Sequence, residues 1–137
     1  MQQVSGTWQN GKSIDLSLKP DVEIVVNENG PKATDLVLAG LVSCSIGVLL
    51  EVLGKMRVSL HKLRVVTEAE REVEPPKLFT KLNVIYHIEV EEGLENKVIK
   101  AIKLGKKYCT VYNILQKSVD IEFCCYINGN KISLIED

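Results

Sequence analysis

The sequence predicts a single mixed helix-and-strand domain, ordered strands, buried helix, strands, helix, strands. Three observations carry this. Asn10-Gly11 and Asn128-Gly129 each separate two strand-like segments, and both residue types tolerate the positive φ that tight hairpins need. The stretch from Leu78 to Val90 alternates, with Leu78, Leu82, Val84, Tyr86, Ile88 and Val90 on one face and Lys81, Asn83, His87 and Glu89 on the other. Between these, the segment from Asp35 to about Met56 is apolar on nearly every side, as a buried helix is.

Taken in order, Val4 to Trp8 and Ser13 to Leu18 form the first hairpin, and Val22 to Val26 is a further strand. Asn27 to Lys32 is a turn, rich in Asn, Gly and Pro. Thr34 is the expected N-cap of the apolar helix, with Asp35 placed to favour its dipole. Gly40, Gly47 and Gly54 recur every seven residues and so lie near one stripe of that helix. Each costs about 1 kcal/mol relative to alanine, so the stripe implies close approach by another backbone, either a partner subunit or another helix of the chain. Leu60 to Glu72 is a strand with Leu63, Val65, Thr67 and Ala69 on one face, ended by Pro75-Pro76. Glu95 to about Lys106 is a second helix that Gly105 breaks or kinks, and a shorter helix runs from Cys109 to Lys117. Val119 to Ile127 and Lys131 to Ile135 close the chain as a second hairpin.

Composition narrows the function classes. The 137 residues fit one domain, 1–137, and 45% hydrophobic residues can build a core. A net charge of −1, with lysines and arginines scattered among acids, makes no case for nucleic acid or an anionic membrane as partner. The uncharged run Leu36 to Leu50 is shorter than the ~18 residues of a membrane span. The first ten residues lack the apolar stretch of a secretory signal, so a cytoplasmic protein is expected. No CxxC pair occurs, and His61 and His87 lack paired-ligand spacing, so neither a metal site nor a bound cofactor is expected.

Thiol chemistry remains. Cys44 lies between Ser43 and Ser45 in the apolar helix, where a cysteine more often simply fills space. Cys109 follows Lys106, Lys107 and Tyr108 at an expected helix start, a setting that stabilises thiolate. Cys124 and Cys125 are adjacent on a strand, face opposite ways, and read as structural.

Gly30-Pro31, followed by Asp35-Leu36-Val37-Leu38-Ala39-Gly40-Leu41-Val42-Ser43-Cys44, resembles the helix pattern G-P-x-x-x-E-L-L-L-A-A-L-x-x-C of the OsmC/Ohr family. Pro76-Lys77-Leu78-Phe79-Thr80-Lys81 is similar to that family's P-x-x-F-T-K/R stretch, and Lys107-Tyr108-Cys109-Thr110-Val111 to its K-Y-C-P-V. The resemblance implies an α+β fold in which antiparallel strands wrap two long central helices of an intertwined homodimer. It further implies that Cys44 attacks an organic hydroperoxide and that Cys109 resolves the sulfenic acid as a disulfide, which an external dithiol of the lipoyl type reduces. The family pairs an N-terminal-strand arginine with a helix-start glutamate. This chain has no arginine before Arg57, and Lys12 and Asp35 stand near those places. Thr110 replaces the proline. The alternative reading is an OsmC-like module, weakly catalytic or non-catalytic, that binds a small apolar ligand or senses oxidants.

Overall fold

The structure, a computed structural model, describes residues 1–134. Ile135, the expected end of the last strand, lies outside the described residues. The chain divides between Ala39 and Gly40 into two compact units.

The first unit carries an antiparallel sheet in the order β1 (Ser5–Thr7), β2 (Ile14–Lys19), β3 (Val22–Val26). The expected hairpin at Asn10-Gly11 is present, with Gly11 at φ 67° and the Trp8 indole N–H donating to the Gly11 carbonyl at 2.9 Å. The turn after β3 is closed by the Asn27 side chain, which accepts from the Asn29 amide at 2.9 Å. Gly30 is obligatory there: a Cβ would stand 2.8 Å from the Val25 carbonyl oxygen.

Helix α1 (Ala33–Lys55) starts two residues before the expected Asp35. Thr34 is therefore inside the helix and is not its cap. Lys32 holds the cap position, its carbonyl accepting from the Leu36 amide, and the Asp35 carboxylate reaches back to the Lys32 amide at 2.9 Å. This is one half of a capping box. The helix ends in a Schellman motif. Arg57, at φ 59°, gives its amide to Gly54, and the Val58 amide bonds Leu53 at 2.9 Å.

In the second unit the sheet order is β4 (Leu60–Arg71), β5 (Phe79–Val90), β6 (Asp120–Ile127), β7 (Asn130–Ser133). β5 and β6 pair in parallel, Tyr86 opposite Cys125, so this sheet is mixed rather than wholly antiparallel. A parallel pair needs a crossover, and α2 (Glu95–Tyr108) with α3 (Thr110–Leu115) supplies it. The inner face carries Val65, Leu82, Val84, Tyr86, Ile88, Val90, Phe123, Cys125 and Ile127, all buried. The predicted alternation of β5 holds except at Leu78, which precedes the strand and is exposed. Asn128 (φ 51°) and Gly129 (φ 86°) make the last turn, as their residue types predicted.

One expectation about glycine is reversed, and of the two neighbours expected for the glycine stripe, the helix of the same chain is not the one. Gly105 does not break α2, which runs on to Tyr108. Gly105 is buried because α1 approaches it: a Cβ there would lie 3.5 Å from Val48 Cγ1 and 3.9 Å from the Leu49 Cα. At Gly40, Gly47 and Gly54, by contrast, an added Cβ meets nothing within 4 Å. Nor is α1 buried on nearly every side. Within the chain it buries one stripe, Leu41, Ser45, Leu49 and Leu53, four residues apart, while Val37 and Leu50 are exposed.

Candidate active site

Cys44 lies beside the buried stripe of α1 and is half-buried, whereas Ser45, next in sequence, belongs to the stripe and is 5% exposed. Cys109 interrupts the helical backbone between α2 and α3 with φ −76° and ψ 113°. There it caps α3, its sulfur accepting from the Tyr112 amide at 3.5 Å. Asn113 fixes this junction: its side-chain amide donates to the carbonyls of Cys109 at 2.7 Å, Lys107 at 3.1 Å and Lys106 at 3.3 Å. Thr110 takes the first position of α3, where a proline would also fit because that N–H needs no helical partner.

The fold brings the two expected cysteines together. The Cys44 and Cys109 thiols are near enough for Cys44 to raise Cys109, and both are free. Burial, followed by the effect of Cys44, pushes Cys109 up to about 11, against the opposing pull of the Tyr112 amide and the Ser45 hydroxyl. Cys109 thus keeps its proton at neutral pH. This overturns the expectation that the neighbouring lysines favour its thiolate. Those ammonium groups sit over rings instead: Lys106 lies 4.6 Å from the Phe123 centroid and 5.2 Å from Tyr112, and Lys107 5.9 Å from Tyr108.

Behind the pair stands a buried polar network. The Ser45 hydroxyl lies by both Cys109 and the phenol of Tyr86, which is 3% exposed on β5, and pulls each of them down against the effect of burial. Burial pushes the Tyr86 phenol up to about 12. Ser45, Tyr86, Cys109, Tyr112 and Phe123 line a void of about 10 Å³, no more than one water needs. Cys109 is 2% exposed. Cys44 is therefore the more accessible of the two sulfurs.

The other expected site residues lie in the first unit with local partners. The Lys12 ammonium pairs with the Glu28 carboxylate at 2.8 Å, both largely exposed. The Asp35 carboxylate is occupied at the start of α1 by the Lys32 amide. Cys125 is fully buried, and burial pushes it up to about 11, while Cys124 is half-buried on the opposite face of β6. His87 is half-buried and stacked on Tyr126, centroids 5.0 Å apart, and His61 is exposed at the start of β4.

Ser45, Tyr86 and Asn113 escaped the sequence reading. Ser45 had one usable signal, its spacing of four from Leu41 and Leu49, which places a hydroxyl on the buried stripe. Tyr86 was read only as an inward residue of an alternating strand, and nothing in its spacing pairs it with Ser45.

An α+β fold that presents one accessible and one buried thiol in contact defines a class of cysteine-pair proteins. Residues 26–123 match the sequence profile of the OsmC-like protein family, and the chain belongs to that family. It is similar to protein YhfA of Escherichia coli strain K12, with 30% identity over 95 residues, 69% of this chain and 71% of YhfA. The OsmC-like protein of Mycoplasma pneumoniae shares the fold at a TM-score of 0.84 and 15% identity, over 93% of this chain and 96% of that one. An organic hydroperoxide resistance protein OsmC from Legionella pneumophila does so at 0.68 and 15%, over 91% and 96%. These identities speak for the fold alone. α1 is the one described helix long and apolar enough to cross a membrane, by length and composition. It is also the helix that carries Cys44.

Proposed function

We propose that the chain is a cytoplasmic thiol peroxidase that reduces organic hydroperoxides. The juxtaposition of Cys44 with Cys109 carries this reading. Cys44, as thiolate, attacks the distal oxygen of ROOH. The O–O bond breaks, RO⁻ takes a proton to leave as the alcohol, and Cys44 becomes a sulfenic acid. The Cys109 thiol then attacks the Cys44 sulfur. An S–S bond forms, and the sulfenic oxygen leaves with the Cys109 proton as water. An external dithiol, of the lipoyl type, reduces the disulfide by exchange. The exposure order supports these roles: peroxide reaches half-buried Cys44, and Cys109 is shielded from it. The name of the Legionella pneumophila relative agrees with an organic hydroperoxide as substrate.

Assembly as a homodimer belongs to the same proposal. α1 leaves Gly40, Gly47 and Gly54 open, and Val48, Val52, Met56, Leu104 and Tyr108, with Glu51 and Lys55, line a mostly apolar groove of about 430 Å³. Covering such a surface is what a second subunit does. In that assembly Lys12 and Asp35 are proposed to take the places of the family's arginine and glutamate.

The alternative, a ligand-binding or oxidant-sensing module, is favoured by one observation. The Lys12 ammonium and the Asp35 carboxylate are each held by a local partner rather than by each other. Consumption of cumene hydroperoxide against hydrogen peroxide, with dihydrolipoamide supplied, separates the two. Faster turnover of cumene hydroperoxide supports the peroxidase. Consumption of neither peroxide selects the alternative.

A further inference from the structure

The outer face of the four-stranded sheet, opposite the face that carries Tyr86 and Cys125, is divided by charge along its strands. Register sets the rows. At one end Glu70, Lys81 and Asp120 lie side by side, with Glu68, Asn83 and Glu122 in the next row. There the lysine is neutralised, its ammonium 3.2 Å from the Glu122 carboxylate. Towards the other end Arg64, His87, Tyr126 and Lys131 form one row across all four strands, and Lys62 and Glu89 form the row beyond it. Lys62 and Arg64 are exposed, and among the described residues neither is in an ion pair.

These groups border a groove of about 330 Å³, lined by Lys62, Arg64, His87, Glu89 and Tyr126 and closed by the turn at Gly129. Small-molecule clefts have volumes of this order. Its walls are held in place. The His87 and Tyr126 rings are half-buried and stacked, with centroids 5.0 Å apart and planes within 8°. Asn128 ties the turn to β5: its backbone amide donates to the Ile88 carbonyl at 2.9 Å. Its side chain accepts from the Val90 amide at 3.0 Å and donates to the Val90 carbonyl at 2.9 Å. A site shaped before its ligand arrives loses less to ordering on binding.

We propose that this groove binds a phosphate monoester carried on a planar aromatic ring. Two cations without carboxylate partners call for an anion, and a phosphate monoester, at about −1.5 to −2 near neutral pH, balances both. Arg64 offers a planar fork to two phosphate oxygens, and Lys62 a point charge to a third. Glu89, exposed on the rim, opposes the anion in part and leaves the cations in excess. The stacked rings of His87 and Tyr126 give the ligand's ring an aromatic surface to lie against. The groove shares no residue with the cysteine pair and sits on the other face of the sheet from Tyr86, so it stands or falls apart from the peroxidase reading.

The test is a titration of the reduced, full-length protein with naphthyl phosphate, followed residue by residue through backbone-amide NMR shifts. Saturable shifts should appear at Arg64, His87 and Tyr126, and inorganic phosphate and naphthol should each bind more weakly than the ester. Lys62→Gln and Arg64→Gln, both at exposed positions, should each weaken binding of the ester about two- to fivefold. Tyr126→Leu should weaken the ester and leave inorganic phosphate unchanged. If Tyr126→Leu does not fold, the wild-type comparison decides: an ester that binds more tightly than inorganic phosphate supports the ring contact, and equal binding overturns it. The absence of saturable shifts at these three residues overturns the proposal. Shifts confined to Val52 and Leu104, in the groove beside α1, do the same. Naphthol that binds as tightly as the ester, or two glutamine variants that bind it like wild type, would refute recognition of the phosphate.

Discussion

Gly105 of α2 lies against Leu49 of α1, with the place of its absent Cβ 3.9 Å from the Leu49 Cα and 3.5 Å from Val48 Cγ1. These are ordinary van der Waals separations, so one methyl group fits and a longer side chain does not. Gly105→Ala should leave stability unchanged or raise it by up to about 1 kcal/mol through helix propensity. Gly105→Leu should lower it by about 1–3 kcal/mol through overpacking. Urea unfolding of both variants measures this. A strongly destabilised alanine variant would mean that the helices pack closer than described.

Stability should fall with alkali. Burial pushes Cys125 from 9.0 up to about 11, and Tyr86 from 10.0 up to about 12. Each group binds its proton more tightly folded than unfolded, so its contribution is complete below the unfolded value and is lost as pH rises through the folded one. For Cys125 the window is pH 9 to 11, at about 1.4 kcal/mol for each unit of difference. The melting temperature of the reduced protein should decline across that window. Cys125→Ala should have a lower melting temperature at pH 7, from the lost sulfur, and a shallower decline above pH 9. An equally steep decline in the variant would show that Cys125 ionises freely in the fold.

Much of this fold was legible because local chemistry specified it. Asn128-Gly129 had to turn, and the alternation from Leu82 to Val90 had to put one face inward. The cysteine pair was reached through motif resemblance, and no spacing rule places residues 44 and 109 in contact. What escaped depends on tertiary neighbours. Gly105 reads as a helix breaker until α1 is laid against it. Thr34 reads as a cap until Asp35 is seen to serve Lys32. The lysines before Cys109 suggest a stabilised thiolate until burial is known to dominate. The parallel pairing of β5 with β6 has no local signal, since either direction buries the same alternate residues.

The open glycine stripe makes a sharp test of assembly. Outside its own helix turn, nothing among the described residues lies within 4 Å of a Cβ added at Gly47, so the first carbon of a leucine there meets no obstacle in the single subunit. If a second subunit covers the stripe, wild type should have a dimeric mass by light scattering at micromolar concentration. Gly47→Leu should then shift it towards monomer while keeping its circular dichroism. A monomeric wild type would refute the dimer. A Gly47→Leu variant as dimeric as wild type would place the interface elsewhere.

The two cysteine roles separate by trapping. Cys44→Ser should abolish peroxide consumption, because a serine hydroxyl is not ionised at neutral pH and the other thiol of the pair, Cys109, is 2% exposed and held protonated by burial. Cys109→Ser should still allow one attack per subunit and leave Cys44 as a sulfenic acid with no partner thiol, open to overoxidation by excess peroxide. Cys124→Ser, on the opposite face of β6 from buried Cys125, should leave turnover within about twofold, as surface substitutions generally do. Mass spectrometry after one equivalent of cumene hydroperoxide, with a sulfenic-acid trap present, reads all three variants. A trapped adduct at Cys109 in Cys44→Ser, with none at Cys44 in Cys109→Ser, would exchange the roles. That outcome would also require Cys109 to become accessible, because the void beside it, about 10 Å³, cannot admit a hydroperoxide unless its lining moves.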